Sequence, residues 1–319
     1  MNGIGILLPF RSCPAGDAVR LGIEAEELGY SAVWAPEVST FDAFSVVAVL
    51  AGETDKVRLG TAIVPLDTRS PALLAMTAAT LSDLAPGRIS LGLGVSTKTI
   101  IEGWHGRDFG RSLAKVCDAI TIIDQALSGQ TTNYHGEAFQ STGFRLDVVP
   151  PERPRIYLAA LGPGMRKLAS ELADGLILNF TPRSKAHLLV SQLSDIVRPF
   201  DKTTFVRVAI SDPAGDADRR VRREMASYFR IAQYRSWLVS LGLDDALSTE
   251  GDLDTVAGQL PSDFVNDVSI IGNPEECGRK LEELRVKGIT PIVVPSIAAG
   301  DLAAYRRIMH ALATGVGDL

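Results

Sequence analysis

Glycine-rich strand ends are where this chain has the residues to hold a ligand. The run Arg88 to Ser96, RISLGLGVS, drives β-forming side chains into Gly92 and Gly94 and ends in Ser96-Thr97. Glycines at the carboxyl end of a strand let backbone N–H groups approach a ligand with no side chain in the way. The two hydroxyls add donors that packing does not require. A second such end is Leu161-Gly162-Pro163-Gly164, where IYLAA feeds a helix from Met165. A glycine-rich turn ahead of a helix leaves N–H groups unpaired and aimed outward, which suits phosphate. Two such ends on one rim favour a phosphorylated cofactor. The first nearly matches the dinucleotide pattern GxGxxG, but Thr97 stands at the third glycine and the segment behind it, KTIIEGWHGRDFGR, is loop-like. A Rossmann turn needs that glycine and an immediate helix.

Two residues stand out for proton chemistry. Glu37 follows the second apolar run, where it would act as a general acid or as a hydrogen-bonding group for a cofactor. His105 lies in EGWHG, beside Trp104 as a wall or stacking surface. His135 falls in a hairpin-like stretch, and His187 and His310 fall on helical stretches whose default place is the surface. No His or Cys pair has metal-ligand spacing, so no metal is expected. No G-x-S-x-G elbow is present. Cys13, Cys117 and Cys277 are odd in number and far apart, which speaks for reduced core thiols.

The elements that must position these residues alternate almost from end to end. Apolar runs GIGILLPF, SAVWAP, KVRLGTAIVP, RISLGLGV, RIYLAAL, GLILNF, TFVRVAI and TPIVVPS read as strands, most of them followed by helical periodicity. Ser70-Pro71 reads as a helix cap with proline in the first turn. Asn273-Pro274 opens a helix with Glu275 and Glu276 first and Arg285 and Lys287 last, matching the macrodipole. Continuous apolar strands imply a parallel sheet covered on both faces, and about eight of them imply a (β/α)8 barrel. The chain of 319 residues reads as one such domain over 1–319, with insertions near 131–149, which alternates like a hairpin, and 239–267, which is polar and irregular.

Composition narrows the partners. A net charge of −6 and interspersed basic residues argue against a nucleic-acid or anionic-membrane surface. No apolar run is long enough to span a bilayer. The opening MNGIGILLPF lacks the basic start of a signal peptide and reads as a first core strand, so the chain reads as soluble and cytoplasmic.

Taken together, GIGILLPF, GYSAVWAPE, VRLGTAIVPLDTRSPALLAMTAATLSDLAPGRISLGLGVS, EGWHG and YLAALGPGMRKLASELADGLILN resemble the bacterial luciferase-like monooxygenase superfamily, and within it the actinobacterial branch that uses coenzyme F420. The resemblance covers residues 1–180 well and the C-terminal IIGNPEECGRKLEELRVKGITPIVVP moderately, with little match over 200–267. It implies a TIM barrel with insertions and F420 as cofactor, FMN being the alternative. It implies a cis peptide between Ala62 and Ile63 behind the deazaflavin ring, and backbone contacts to the cofactor from Val95 and Ser96. Leu161, Gly162, Gly164 and Met165 would hold the phosphate and tail, with a further tail contact at Asn179. The branch acts on small molecules and is often dimeric. Sugar-phosphate dehydrogenases of this family carry a histidine after the first acid and a second acid beyond the fourth-strand glycines. Here those positions read Glu37-Val38 and Thr97, so a glucose-6-phosphate-type substrate is not implied.

Overall fold

The computed structural model describes residues 3–193, 196–211 and 216–316. Strand β1 (Gly5–Leu7) leads to α1 (Ala15–Glu27), followed by β2 (Ala32–Ala35) and α2 (Ala43–Glu53). Strand β3 (Arg58–Thr61) has a short continuation β4 (Val64–Pro65); then come α3 (Pro71–Leu84), β5 (Ile89–Gly94) and α4 (Ser112–Leu127). After β6 (Asn133–His135) and β7 (Gln140–Thr142) follow β8 (Arg155–Ala159), α5 (Pro163–Leu172), β9 (Gly175–Asn179), α6 (Ala186–Ser191) and β10 (Asp201–Ile210). Four helices come next: α7 (Asp216–Phe229), α8 (Ala232–Ser240), α9 (Leu253–Gln259) and α10 (Ser262–Val268). The chain finishes with β11 (Ser269–Gly272), α11 (Pro274–Val286), β12 (Thr290–Pro295) and α12 (Leu302–Val316).

Eight of these strands close into a parallel barrel in the order β1-β2-β3-β5-β8-β9-β10-β12, with β12 returning to β1. They correspond to the eight apolar runs. Strand β11 is an addition that the sequence pattern does not announce. It pairs with the last four residues of β10, from Arg207 opposite Ser269 to Ile210 opposite Gly272, beyond the point where β9 stops at Asn179 opposite Phe205.

The barrel interior is filled by Trp34 and Tyr157, edge to face at 5.2 Å between ring centroids, with Leu7, Ile177, Ile292 and Val294 around them. Glycine supplies the space: a Cβ at Gly60 would run into the Trp34 ring, and one at Gly175 into Tyr157. Large and small residues thus alternate across facing strands, as a tapered interior requires.

Helix ends follow the expected caps. The Ser70 side chain accepts from Leu73 N–H with Pro71 in the first turn, and Asn273 and Glu276 form a reciprocal capping box. Residues 133–142 form the antiparallel hairpin β6–β7, held to α4 by Asp118, which accepts from the Tyr134 hydroxyl and from the N–H groups of Ala138 and Phe139.

The stretch 239–267 departs from expectation, because it contains α9 and α10 instead of irregular chain. Their Val256, Ala257 and Val265 pack against Val221, Met225 and Phe229 of α7 in a second apolar cluster. Helices of seven residues carry too few apolar positions for a helical period to show in the sequence. Among the described residues no helix is long and apolar enough to cross a membrane.

Candidate active site

Glu37, Ala62, Ile63, Val95, Ser96, Leu161, Gly162, Gly164, Met165 and Asn179 fall at or just beyond the carboxyl ends of barrel strands, with His105 farther out in the loop after β5. At the break between β3 and β4 the Ala62–Ile63 peptide is cis. Beside it the Thr61 hydroxyl donates to the Gly92 carbonyl at 2.8 Å and accepts from Gly92 N–H at 2.9 Å, replacing ladder bonds that the break interrupts. A Cβ at Gly92 would lie on the Thr61 carbonyl oxygen, and one at Gly94 would come within 3.0 Å of Ile63 Cδ1. All six residues of β5 are buried. The two glycines therefore make room for the neighbouring strand's break, which is a different reason from the close ligand approach that the sequence suggests. The half-buried part of this strand end begins one residue later, at Val95 and Ser96, where Ser96 takes a left-handed φ of 60°.

The second glycine-rich end leads into an open helix N-terminus. Gly162 caps α5 with no side-chain bond, and a Cβ placed on it would meet nothing within 4 Å. The N–H groups of Gly164 and Met165 lie in the first helical turn, where no intrahelical acceptor exists. Next to them stands Arg166, which donates to the Leu161 carbonyl at 2.6 Å and lies over the Trp237 ring at 5.4 Å. It has no carboxylate partner among the described residues, and burial pulls its pKa below the ordinary arginine value. A half-buried guanidinium beside free helix N–H groups fits a phosphate. Arg166 was not legible beforehand, since in MRKLASEL it reads as one more polar position on a helix face.

Strand register brings these groups together. Leu93 pairs with Leu158, Ala159 with Ile177, and Val64 of β4 with Leu93. Ala62–Ile63, Val95–Ser96, Leu161–Met165 and Asn179 thus occupy the ends of neighbouring strands on one side of the barrel mouth. Asn179 is turned to the protein. Its side-chain oxygen accepts from Arg207, its amide nitrogen donates to the Tyr234 hydroxyl at 3.3 Å, and its carbonyl accepts from Trp237 Nε1 at 2.6 Å. Arg207 is wholly buried, 4.0 Å from the Phe180 ring and 4.9 Å from that of Tyr228, with Nε 3.0 Å from Glu224.

Glu37 and His105 are placed very differently. Both Glu37 oxygens take the Arg69 guanidinium, at 2.6 and 2.9 Å, and Oε2 also accepts from Ala43 N–H at 3.2 Å. Arg69 in turn bonds Asp42 and lies 4.9 Å from the Phe44 ring. This fork ties the end of β2 to the segment after β4 and holds the carboxylate as an acceptor. His105 is exposed at the end of a π-helical turn, Thr99–Trp104, in the loop after β5, and its ring has no hydrogen-bond partner among the described residues.

The sequence model of the luciferase-like monooxygenase family matches residues 3–290. The chain belongs to the luciferase-like monooxygenase family. A Mycobacterium tuberculosis protein described as a coenzyme F420-dependent oxidoreductase is 28% identical over 91% of this chain and 94% of its own. The 5,10-methylenetetrahydromethanopterin reductase of Archaeoglobus fulgidus is 28% identical over 87% of this chain and 88% of its own. Among solved structures, the coenzyme F420-dependent tetrahydromethanopterin reductase of Methanopyrus kandleri superposes with a TM-score of 0.78 at 21% identity, over 99% of this chain and 98% of that one.

Proposed function

We propose that the protein is a coenzyme F420-dependent oxidoreductase that moves a hydride between the deazaflavin and a small organic substrate. The observation that carries this reading is the cradle at the start of α5, where open space over Gly162 meets a guanidinium with no carboxylate partner among the described residues. An anionic, phosphate-linked tail is the ligand such a cradle suits, and the similarity to F420-dependent relatives favours the deazaflavin over FMN. When bound, reduced F420 supplies the two-electron hydride.

The chain's own residues bind, orient and exclude water. Ala62 and Ile63 back the ring, and Val95 and Ser96 offer their backbone to it. Leu161, Gly162, Gly164 and Met165 receive the phosphate, with Arg166 adding charge. Asn179 supports the rim from behind, since its polar atoms are bonded to Arg207, Tyr234 and Trp237. Glu37 is a positioning residue acting through Arg69. His105, whose ring has no hydrogen-bond partner among the described residues, carries the proton that accompanies the hydride.

The test is a pair of fluorescence titrations, with F420 and with FMN, followed by reoxidation of reduced F420 against a panel of acceptors. F420 binding with turnover supports the reading. Tight FMN binding with no F420 binding overturns it in favour of an oxygen-using monooxygenase served by a partner reductase.

A further inference from the structure

A cavity of about 320 Å³ opens on the other side of the barrel mouth, between the ends of β1 and β12 and helix α7. Its size is at the small end of the range for small-molecule sites, roughly 300–1,000 Å³. The floor is the barrel interior itself, since Leu7, Phe10 and Val294 belong to the apolar cluster around Trp34 and Tyr157. Strand alternation fixes what stands above that floor. Ile292 and Val294 of β12 face inward, so Ser296 continues the same face one residue beyond the strand end. On β10, Phe205 pairs with Ile292 and Arg207 with Val294, which puts the Arg207 side chain in the same inward row. The uppermost layer on this side is therefore polar, where the layers below it are apolar.

Two groups in this layer have hydrogen-bonding capacity left for a ligand. Ser296 lines the cavity and is only 2% exposed. Its backbone N–H donates to the Val208 carbonyl at 2.8 Å, whereas its hydroxyl has no hydrogen-bond partner among the described residues. Glu224 of α7 lines the same cavity and is fixed by the wholly buried Arg207, whose Nε lies 3.0 Å from Oε1. The other oxygen, Oε2, has no partner among the described residues. A serine hydroxyl donates and accepts, while a carboxylate oxygen only accepts. A ligand hydroxyl suits both, accepting from Ser296 and donating to Glu224. An anion would set like charge against Glu224, and an ammonium would stand beside the Arg207 guanidinium. The arginines on the α7 wall are engaged elsewhere: Arg219 has Asp216 at 3.8 Å, Arg223 is bonded to Asp254, and Arg220 has a partner as well. Arg11 is exposed over the Phe10 ring.

We propose that this cavity binds an uncharged alcohol, its hydroxyl held by Ser296 and Glu224 and its apolar body lying over Leu7, Phe10 and Val294. Arg207 is a positioning residue that acts through Glu224. That the alcohol is the substrate of hydride transfer rests on the F420 reading, but the alcohol site itself does not. It lies across the mouth from the α5 cradle, so cofactor and alcohol do not compete.

Titration of the cofactor-free protein with 1-phenylethanol, its methyl ether and 2-phenylpropanoate, followed by ligand-observed NMR, reads the site directly. The alcohol is expected to bind about tenfold more tightly than the ether, which cannot donate, and than the carboxylate. Ser296→Ala is expected to weaken the alcohol about tenfold. It removes no hydrogen bond of the fold, so it keeps the test available even where Glu224→Gln, which leaves Arg207 without its carboxylate, does not fold. In folded Glu224→Gln the preference for alcohol over ether is expected to vanish. No binding of the alcohol, equal binding of alcohol and ether, tighter binding of the carboxylate, or unchanged alcohol affinity in Ser296→Ala overturns the proposal. F420 titrated into Ser296→Ala is expected to bind as to the unaltered protein, without displacing 1-phenylethanol from the latter. Displacement overturns the substrate assignment and gives the cavity to the cofactor. Failure of F420 to bind the unaltered protein, with the alcohol preference intact, strikes the cofactor reading alone and supports the alcohol site.

Discussion

Arg166 and Gly92 show how a residue's meaning depends on what surrounds it. The Arg166 guanidinium is held by one carbonyl and one indole and faces no acid among the described residues. Arg166→Gln is expected to weaken F420 about tenfold with the melting temperature nearly unchanged, as fluorescence titration and calorimetry would show. His105→Ala is expected to lower turnover about 10²- to 10⁴-fold while F420 affinity stays the same, the loss of a general acid and not of a binding group. Both variants leave the barrel interior untouched. Gly92→Ala does the opposite. The added methyl meets the Thr61 backbone, which cannot move aside as a flexible side chain would. Destabilisation of about 3 kcal/mol or more is expected in urea unfolding, since overpacking alone costs about 1–3 kcal/mol.

At the scale of elements, polar side chains join one βα unit to the next. Glu26 at the end of α1 accepts from the N–H groups of Asp55, Lys56 and Val57, the turn that leads into β3. Burial alone would raise its pKa, but the three donors outweigh it and hold the carboxyl below the ordinary glutamate value. A depressed folded pKa means the stabilisation is complete above the unfolded value, about 4.3, and is lost as the pH falls through the folded one. Glu26→Gln is therefore expected to lower the melting temperature at neutral pH by the equivalent of about 1 kcal/mol, with the gap closing in acid. A gap that persists at pH values well below 4 would sink the argument. The Glu37–Arg69 fork performs a similar joining task on the rim, linking β2 to the segment after β4.

For the whole molecule, closure is the event that makes a site. The last helix returns to the first strand, where the buried Tyr305 hydroxyl donates to the Leu7 carbonyl at 2.8 Å. Tyr305→Phe is expected to cost about 1 kcal/mol in urea unfolding, the price of one unpaired buried carbonyl. Eight apolar runs, the Ser70 and Asn273 caps, the hairpin near 131–149 and the glycine-rich turn before α5 were all legible in the chain, because each is a short-range pattern. Strand β11 and helices α9 and α10 were not, being too short to carry a period. Nor was the reason for Gly92, which lies in the break of a strand about thirty residues away. The amino-acid order by itself determined a barrel of parallel strands and a glycine-rich turn ahead of a helix on its rim, since hydrophobic period and turn chemistry are local. Only the tertiary structure decided which charges are already matched: Glu37 meets Arg69, Glu224 meets Arg207, and Arg166 and Arg11 meet no acid among the described residues. Those pairings join residues far apart along the chain, and charge pairing depends on distance in space.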